Sequence, residues 1–205
     1  MAASRFNQYL TAMGQAFSGS LATRPDGSAV SMAAAVDWGI AEIERAHLRD
    51  QKTFLIGNGG SASICSHMAL DFCKNANLRV MALNDPVALT ALANDNGVSH
   101  VFAKQLEFYA LPGDFLIAIS SSGRSPNILN AVAAARALKI NVMTLSGFDI
   151  DNSLRSLGDM NIYTPSHLYG LVETAHACFL HAMLDLAMGW GMEQPVKKAP
   201  RTAAN

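Results

Sequence analysis

The chain is expected to fold as an α/β domain, a doubly wound sheet of five parallel strands flanked by helices, and three features of its 205 residues lead there. From Thr53 onward short apolar runs alternate with helix-length segments, the order of strands joined by crossover helices. Runs such as Phe54-Leu55-Ile56 and Phe115 to Ile119 are apolar on both faces, as a parallel sheet covered on both sides requires. Two-residue hairpin signals are absent between these runs, so neighbouring strands are expected to be parallel.

Taken in order, residues 1–50 read as two helices belonging to the same domain. Phe6, Tyr9, Leu10, Met13 and Phe17 recur at three- and four-residue steps, and Val36, Ile40 and Ile43 do so after the turn Arg24-Pro25-Asp26-Gly27. Strands are expected at 53–56, 79–83, 115–120, 141–145 and 161–163. The segments 64–75, 86–111, 127–138 and 151–157 supply crossover helices or helical turns. A last apolar helix spans about 169–190 and is expected to pack against other subunits. Residues 51–190 form the main body of the domain, and 191–205 read as a frayed tail, polar, proline-containing and without period.

Composition narrows the function. Hydrophobic residues make up 50% of the chain, too many for disorder. Fifteen basic side chains against sixteen acidic ones leave a net charge of −1, so nothing attracts nucleic acid or anionic lipid at long range, and neither is an expected partner. A phosphate ligand would need a local site. Cys65, Cys73 and Cys178 are an odd number without CxxC spacing, which argues against a disulfide framework or zinc ribbon and fits a reducing cytoplasm. No leader-like segment opens the chain, and no run approaches the roughly 18 apolar residues of a membrane span. The expectation is a soluble cytoplasmic protein.

Ligands of open parallel sheets bind outside the carboxyl ends of the strands, and two loops there stand out. Gly57-Asn58-Gly59-Gly60-Ser61 follows the first predicted strand; its glycines permit positive φ and close backbone approach, and Ser61 can cap the next helix, although a tight strand-to-helix turn would look the same. Its spacing matches neither a dinucleotide fingerprint nor an ATP-binding loop. Ser120-Ser121-Ser122-Gly123-Arg124-Ser125-Pro126-Asn127 follows the third strand and gathers four hydroxyls at a helix start. Helix-terminal N–H groups carry partial positive charge, so the composition suits a phosphate monoester better than a mere cap, and Pro126 suits a first helical turn. Arg124 reads as solvated. His67 and Asp71, four apart on one helix face, can chelate one divalent ion or hydrogen-bond to each other.

The pair GNGGSA and ISSSGRSPN resembles the sugar isomerase (SIS) domain family. The N-terminal helices, the His six residues after the GNGGS serine, and the ETAH…H pattern of the last helix resemble its phosphoheptose isomerase subfamily. The likeness runs from about residue 6 to 190. It implies a homotetramer whose subunits isomerise sedoheptulose 7-phosphate to a manno-heptose 7-phosphate at intersubunit sites that often hold zinc. It assigns Asn58, Gly59, Gly60 and Ser61, with Ser120, Ser121, Ser122 and Ser125, to phosphosugar binding, and Asp95 to sugar hydroxyls. It makes His67, Asp71, Glu173 and His181 the ligands of a divalent metal, with zinc the first choice, and Asp71 and His181 the catalytic acid–base pair.

Two of those four positions differ from the family's pattern, which has Glu where this chain has Asp71 and Gln where it has Glu173. Asp is one methylene shorter than Glu, and proton transfer needs heavy atoms within about 2.6 to 3.2 Å. Glu173 adds a negative charge, giving a two-histidine, two-carboxylate set compatible with zinc, manganese or iron. Glu173 and His181 are eight residues apart, which is about 12 Å of helix, so both must stretch to a common point. His176 between them is an alternative ligand or a packed interface histidine. Gly170, Leu171 and Val172 replace the family's residues before the Gln, at a place tied to sugar-chain specificity. Two other readings fit the sequence: a non-catalytic SIS-domain adaptor that binds a phosphosugar or a protein, and an isomerase of a pentulose or hexulose phosphate.

Overall fold

The structure, a computed structural model, describes residues 4–191, and all but the first residue of the expected frayed tail lies outside them. Helix α1 (Arg5–Ser18) starts where the Ser4 hydroxyl accepts from the Asn7 N–H, and α2 (Met32–Leu48) starts in the same way at Ser31, each oxygen satisfying a donor that the first helical turn leaves open. Between them lies a feature the sequence reading lacks, a hairpin of β1 (Leu21–Thr23) and β2 (Ala29–Val30) around the 24–27 turn. The sheet therefore has seven strands, five of them the expected parallel set. Strands of three and two residues carry no readable periodicity, and β1 is a strand because it pairs antiparallel with residues 161–163.

The parallel set comprises β3 (Thr53–Ile56), β4 (Val80–Ala82), β5 (Phe115–Ser120), β6 (Asn141–Ser146) and β7 (Met160–Tyr163). Between them run α3 (Gly60–Ala76), α4 (Pro86–Asn96), α5 (Val101–Tyr109), α6 (Pro126–Ala137) and a short 3₁₀ turn, Ser153–Ser156. Helix α7 (Tyr169–Ala187) follows, three residues shorter than its apolar pattern. Every residue of β3, β5 and β7 is buried, as strands covered on both faces must be. Side chains alternate across the sheet. Leu55, Ile117 and Met143 join Ile43 of α2, Phe72 of α3 and Phe179 of α7 on one face, and Phe54, Leu116 and Val142 join Phe102 of α5 and Ile128 of α6 on the other. Helix α2 thus packs into the first of these cores, through Ala35, Val36, Ile43 and Ala46.

The strand order β2-β1-β7-β6-β5-β3-β4 reverses direction between β3 and β5. At such a reversal the crossovers leave to opposite faces and the loops part, opening a crevice at the carboxyl ends. The loops after β3 and β5 are the two that the sequence singles out.

Candidate active site

The first loop enters α3 through Gly59, whose φ is +53° and which caps the helix without a side-chain bond. Ser61 does not cap, contrary to the sequence reading. It is buried one residue inside the helix, because the helix starts two residues earlier than a Ser61 cap would set it. The second loop turns at Gly123, whose N–H donates to the Ser120 carbonyl (2.9 Å). The Ser120 and Ser125 hydroxyls bond to each other (3.2 Å), so Ser125 sits at the start of α6 without capping it. The Ser121 hydroxyl is buried without a partner, and the Ser122 hydroxyl accepts from the Arg124 N–H (3.3 Å). Arg124 is paired rather than merely solvated: its guanidinium lies 3.0 Å from Asp151 and 3.4 Å from Asp149.

A residue to which sequence reading gave no role joins the loops. Asn127 and Asn58 exchange two amide hydrogen bonds, of 2.8 and 2.9 Å, tying the start of α6 to the first loop. The signal available was an Asn directly after the helix-opening Pro126, which names no partner. Asn127 is buried, and a lost partner leaves a buried amide costing about 1 to 3 kcal/mol. Asn58→Ala, which leaves the Asn127 amide without that partner, is accordingly expected to lower unfolding stability by that amount in a denaturant titration. Beside these residues a cavity of about 600 Å³ opens, bounded by Gly57, Asn58, Asn127, Ser66, Leu89 and Phe102 among others. Asp95 does not line it; exposed near the end of α4, its carboxylate accepts from the Asn94 amide.

Helices α3 and α7 bring together three of the four side chains assigned to metal. Nε2 of His67 lies 3.3 Å from the Asp71 carboxylate, the His67 and His181 ring centroids are 5.4 Å apart, and one donor atom from each of the three lies within 4.8 Å of the others. Two imidazoles and a carboxylate with a position left open are the donor set of many catalytic zinc sites, and the His67 side chain is 58% exposed, so solvent and substrate reach it. The set fits a divalent ion. Glu173 stands apart from the cluster: a Cβ built on Gly60 would fall on its carboxylate, which places that group against the start of α3.

His176 is a core residue. It is fully buried, its Nε2–H donates to the Ser146 carbonyl (3.0 Å), and burial pushes its pKa down to about 4. The folded value lies below the ordinary value of 6.5, so the unfolded chain binds the proton more readily between them. Its contribution to stability is complete above pH 6.5 and is lost as pH falls toward 4, at up to about 1.4 kcal/mol per pH unit. His176→Gln retains an N–H donor and cannot titrate in this range. Stability measured against pH should fall less steeply from pH 6.5 to 5 in that variant than in wild type.

The comparisons agree with this architecture. The SIS domain family model matches residues 28–147. The phosphoheptose isomerase of Bradyrhizobium sp. is 37% identical over 153 residues, covering 71% of this chain and 76% of that protein, and the one from Helicobacter pylori strain 26695 is 36% identical over 140 residues, covering 65% and 72%. Among solved structures, the phosphoheptose isomerase of Neisseria gonorrhoeae superposes with a TM-score of 0.77 at 28% identity, covering 89% of this chain and 97% of that one. The Francisella tularensis enzyme gives 0.78 at 25% identity, covering 89% and 96%. The family model spans both ligand loops and α3, and the chain belongs to the SIS domain family and, within it, to the phosphoheptose isomerases.

Proposed function

We propose that this protein is an aldose–ketose isomerase that converts sedoheptulose 7-phosphate to D-glycero-D-manno-heptose 7-phosphate through an enediol. The observation that carries the reading is the cluster of His67, Asp71 and His181 on the two helices that start beside the ligand loops. An adaptor needs the phosphate loop alone; an isomerase needs acid–base groups as well.

In this reading the amides at the start of α6 and the hydroxyls of Ser120, Ser121, Ser122 and Ser125 hold the phosphate, whose oxygens supply the partner that the buried Ser121 hydroxyl lacks. Asn58, Gly59, Gly60 and Ser61 bound the sugar, and Asp95 is assigned to its hydroxyls, from this subunit or another. His67 lies seven residues, about 10 Å of helix, along α3 from Gly60. A substrate gripped at its phosphate therefore needs a carbon chain of several atoms to bring its carbonyl to the cluster, which favours the heptulose over shorter sugars. His67, Asp71 and His181 would hold a divalent metal, zinc by preference, whose chemistry when bound is to polarise the carbonyl and steady developing oxyanion charge. Asp71 and His181 are the acid–base pair of this reading, Asp71 at the carbon-bound proton and His181 at the proton exchanged between the two substrate oxygens.

A homotetramer belongs to the same reading. Phe6, Tyr9, Leu10 and Phe17 of α1 and Leu168 and Tyr169 at the start of α7 are exposed apolar side chains, an area suited to self-association. No helix among the described residues is long and apolar enough to cross a membrane, and Cys65, Cys73 and Cys178 are free thiols, which supports a cytoplasmic location. The test is incubation with sedoheptulose 7-phosphate, with and without added zinc, followed by NMR. An aldose 7-phosphate is the expected product; recovery of unchanged ketose together with a rise in melting temperature would support the adaptor instead.

A further inference from the structure

We infer that Arg124 is a positioning residue: its ion pairs with Asp149 and Asp151 fix the serine loop so that the Ser122 hydroxyl offers its proton to the phosphate. This rests on the serine loop being the phosphate site of the proposed activity. The Ser122 oxygen accepts from the Arg124 N–H (3.3 Å), and Ser122 makes no other side-chain hydrogen bond among the described residues. A hydroxyl whose oxygen is engaged in this way keeps its own proton free to donate.

One peptide unit controls that hydroxyl. The bond from Gly123 to Arg124 carries the N–H that Ser122 accepts, and its carbonyl accepts from the Leu154 N–H (3.0 Å). Just upstream, the Gly147 N–H holds the Ser121 carbonyl (2.9 Å). On the other side, the Arg124 guanidinium lies 3.0 Å from Asp151 and 3.4 Å from Asp149. All of these partners belong to residues 147–154, after β6. A single segment therefore braces the serine loop, and Arg124 supplies the loop's charged link to it.

Arg124 does not act as a free cation toward the phosphate. Its one positive charge meets two carboxylates, and direct attraction of an anion would be stronger without them. The two roles therefore predict opposite effects of removing the acids. All three side chains are at least half exposed, so substitution leaves the core intact, and the effects are modest because exposed ion pairs contribute little each.

Isothermal titration calorimetry with inorganic phosphate gives a Kd without turnover, and steady-state kinetics with sedoheptulose 7-phosphate gives KM and kcat. Arg124→Gln should raise Kd and KM roughly two- to fivefold at wild-type kcat and with an unchanged circular dichroism spectrum. Arg124→Lys, which keeps the charge, should fall between it and wild type. Asp149→Asn together with Asp151→Asn should raise both constants as well. Adding Arg124→Gln to that pair should cause no further rise, since all three changes break one link. Wild-type affinity in Arg124→Gln overturns the inference. So does tighter phosphate binding on removal of the two acids, because that makes Arg124 a direct phosphate ligand. A wild type that binds phosphate and forms no aldose overturns the isomerase reading alone, and the Kd values of the variants then decide the role of Arg124.

Discussion

Replacement of His181 by Ala is expected to lower turnover of sedoheptulose 7-phosphate by a factor on the order of 10² to 10⁴, the usual contribution of a positioned acid–base group. The substitution should leave the fold intact. His181 is only half-buried, its ring faces His67 at 5.4 Å, and the core positions on the same helix are Phe179, Leu180, Met183 and Leu184. Truncation therefore removes chemistry rather than packing. A divalent ion should also bind more weakly, because one of the three side chains proposed to hold it is gone. Initial rates measured by NMR, with circular dichroism as the control for folding, check the prediction. Unimpaired turnover would remove His181 from the mechanism.

Gly123→Ala should separate binding from chemistry. Gly123 has a φ of +62°, a left-handed conformation that costs an L-residue roughly 1 to 2 kcal/mol. An added Cβ would also fall on the carboxamide of Asn152. That amide is buried and donates to the carbonyls of Gly147 (3.1 Å) and Asp149 (2.8 Å). Gly147 in turn donates to Ser121, and Leu154 donates to the Gly123 carbonyl. Displacing Asn152 thus loosens the serine loop from two directions, and a loss of about 1.4 kcal/mol or more in phosphate binding corresponds to a KM at least about tenfold higher. The zinc content should not change, because His67, Asp71 and His181 lie on other elements. Steady-state kinetics with metal analysis distinguishes these effects; an unchanged KM would mean that the phosphate binds elsewhere.

The five parallel strands were readable because each is a local apolar run with a helix-length segment behind it, and β3 and β5 begin and end where the residues alone place them. The hairpin of β1 and β2 was not readable. Leu21-Ala22-Thr23 becomes a strand through pairing with Asn161-Ile162-Tyr163, about 140 residues away in sequence, and pairing at that distance leaves no local trace. The same division runs through the site. Clustered Gly and Ser marked both loops, and the four-residue spacing marked His67 with Asp71. The amide exchange between Asn58 and Asn127, the hold of Asp149 and Asp151 on Arg124, and the seat of Glu173 on Gly60 all join separate elements. Only tertiary packing brings those groups into register. His181 was reached through family likeness, since eight residues of helix separate it from Glu173 and neither residue's spacing points to His67.

The central claim is that the loop after β5 anchors a phosphate while the helices starting beside the crevice carry the chemistry at the other end of the sugar. The most direct measurement is a crystal structure with sedoheptulose 7-phosphate bound. The predicted result has the phosphate hydrogen-bonded by the Ser120–Ser125 loop and C1 and C2 beside His67, Asp71 and His181. A phosphate seated away from that loop, or a carbonyl carbon remote from all three side chains, would contradict it.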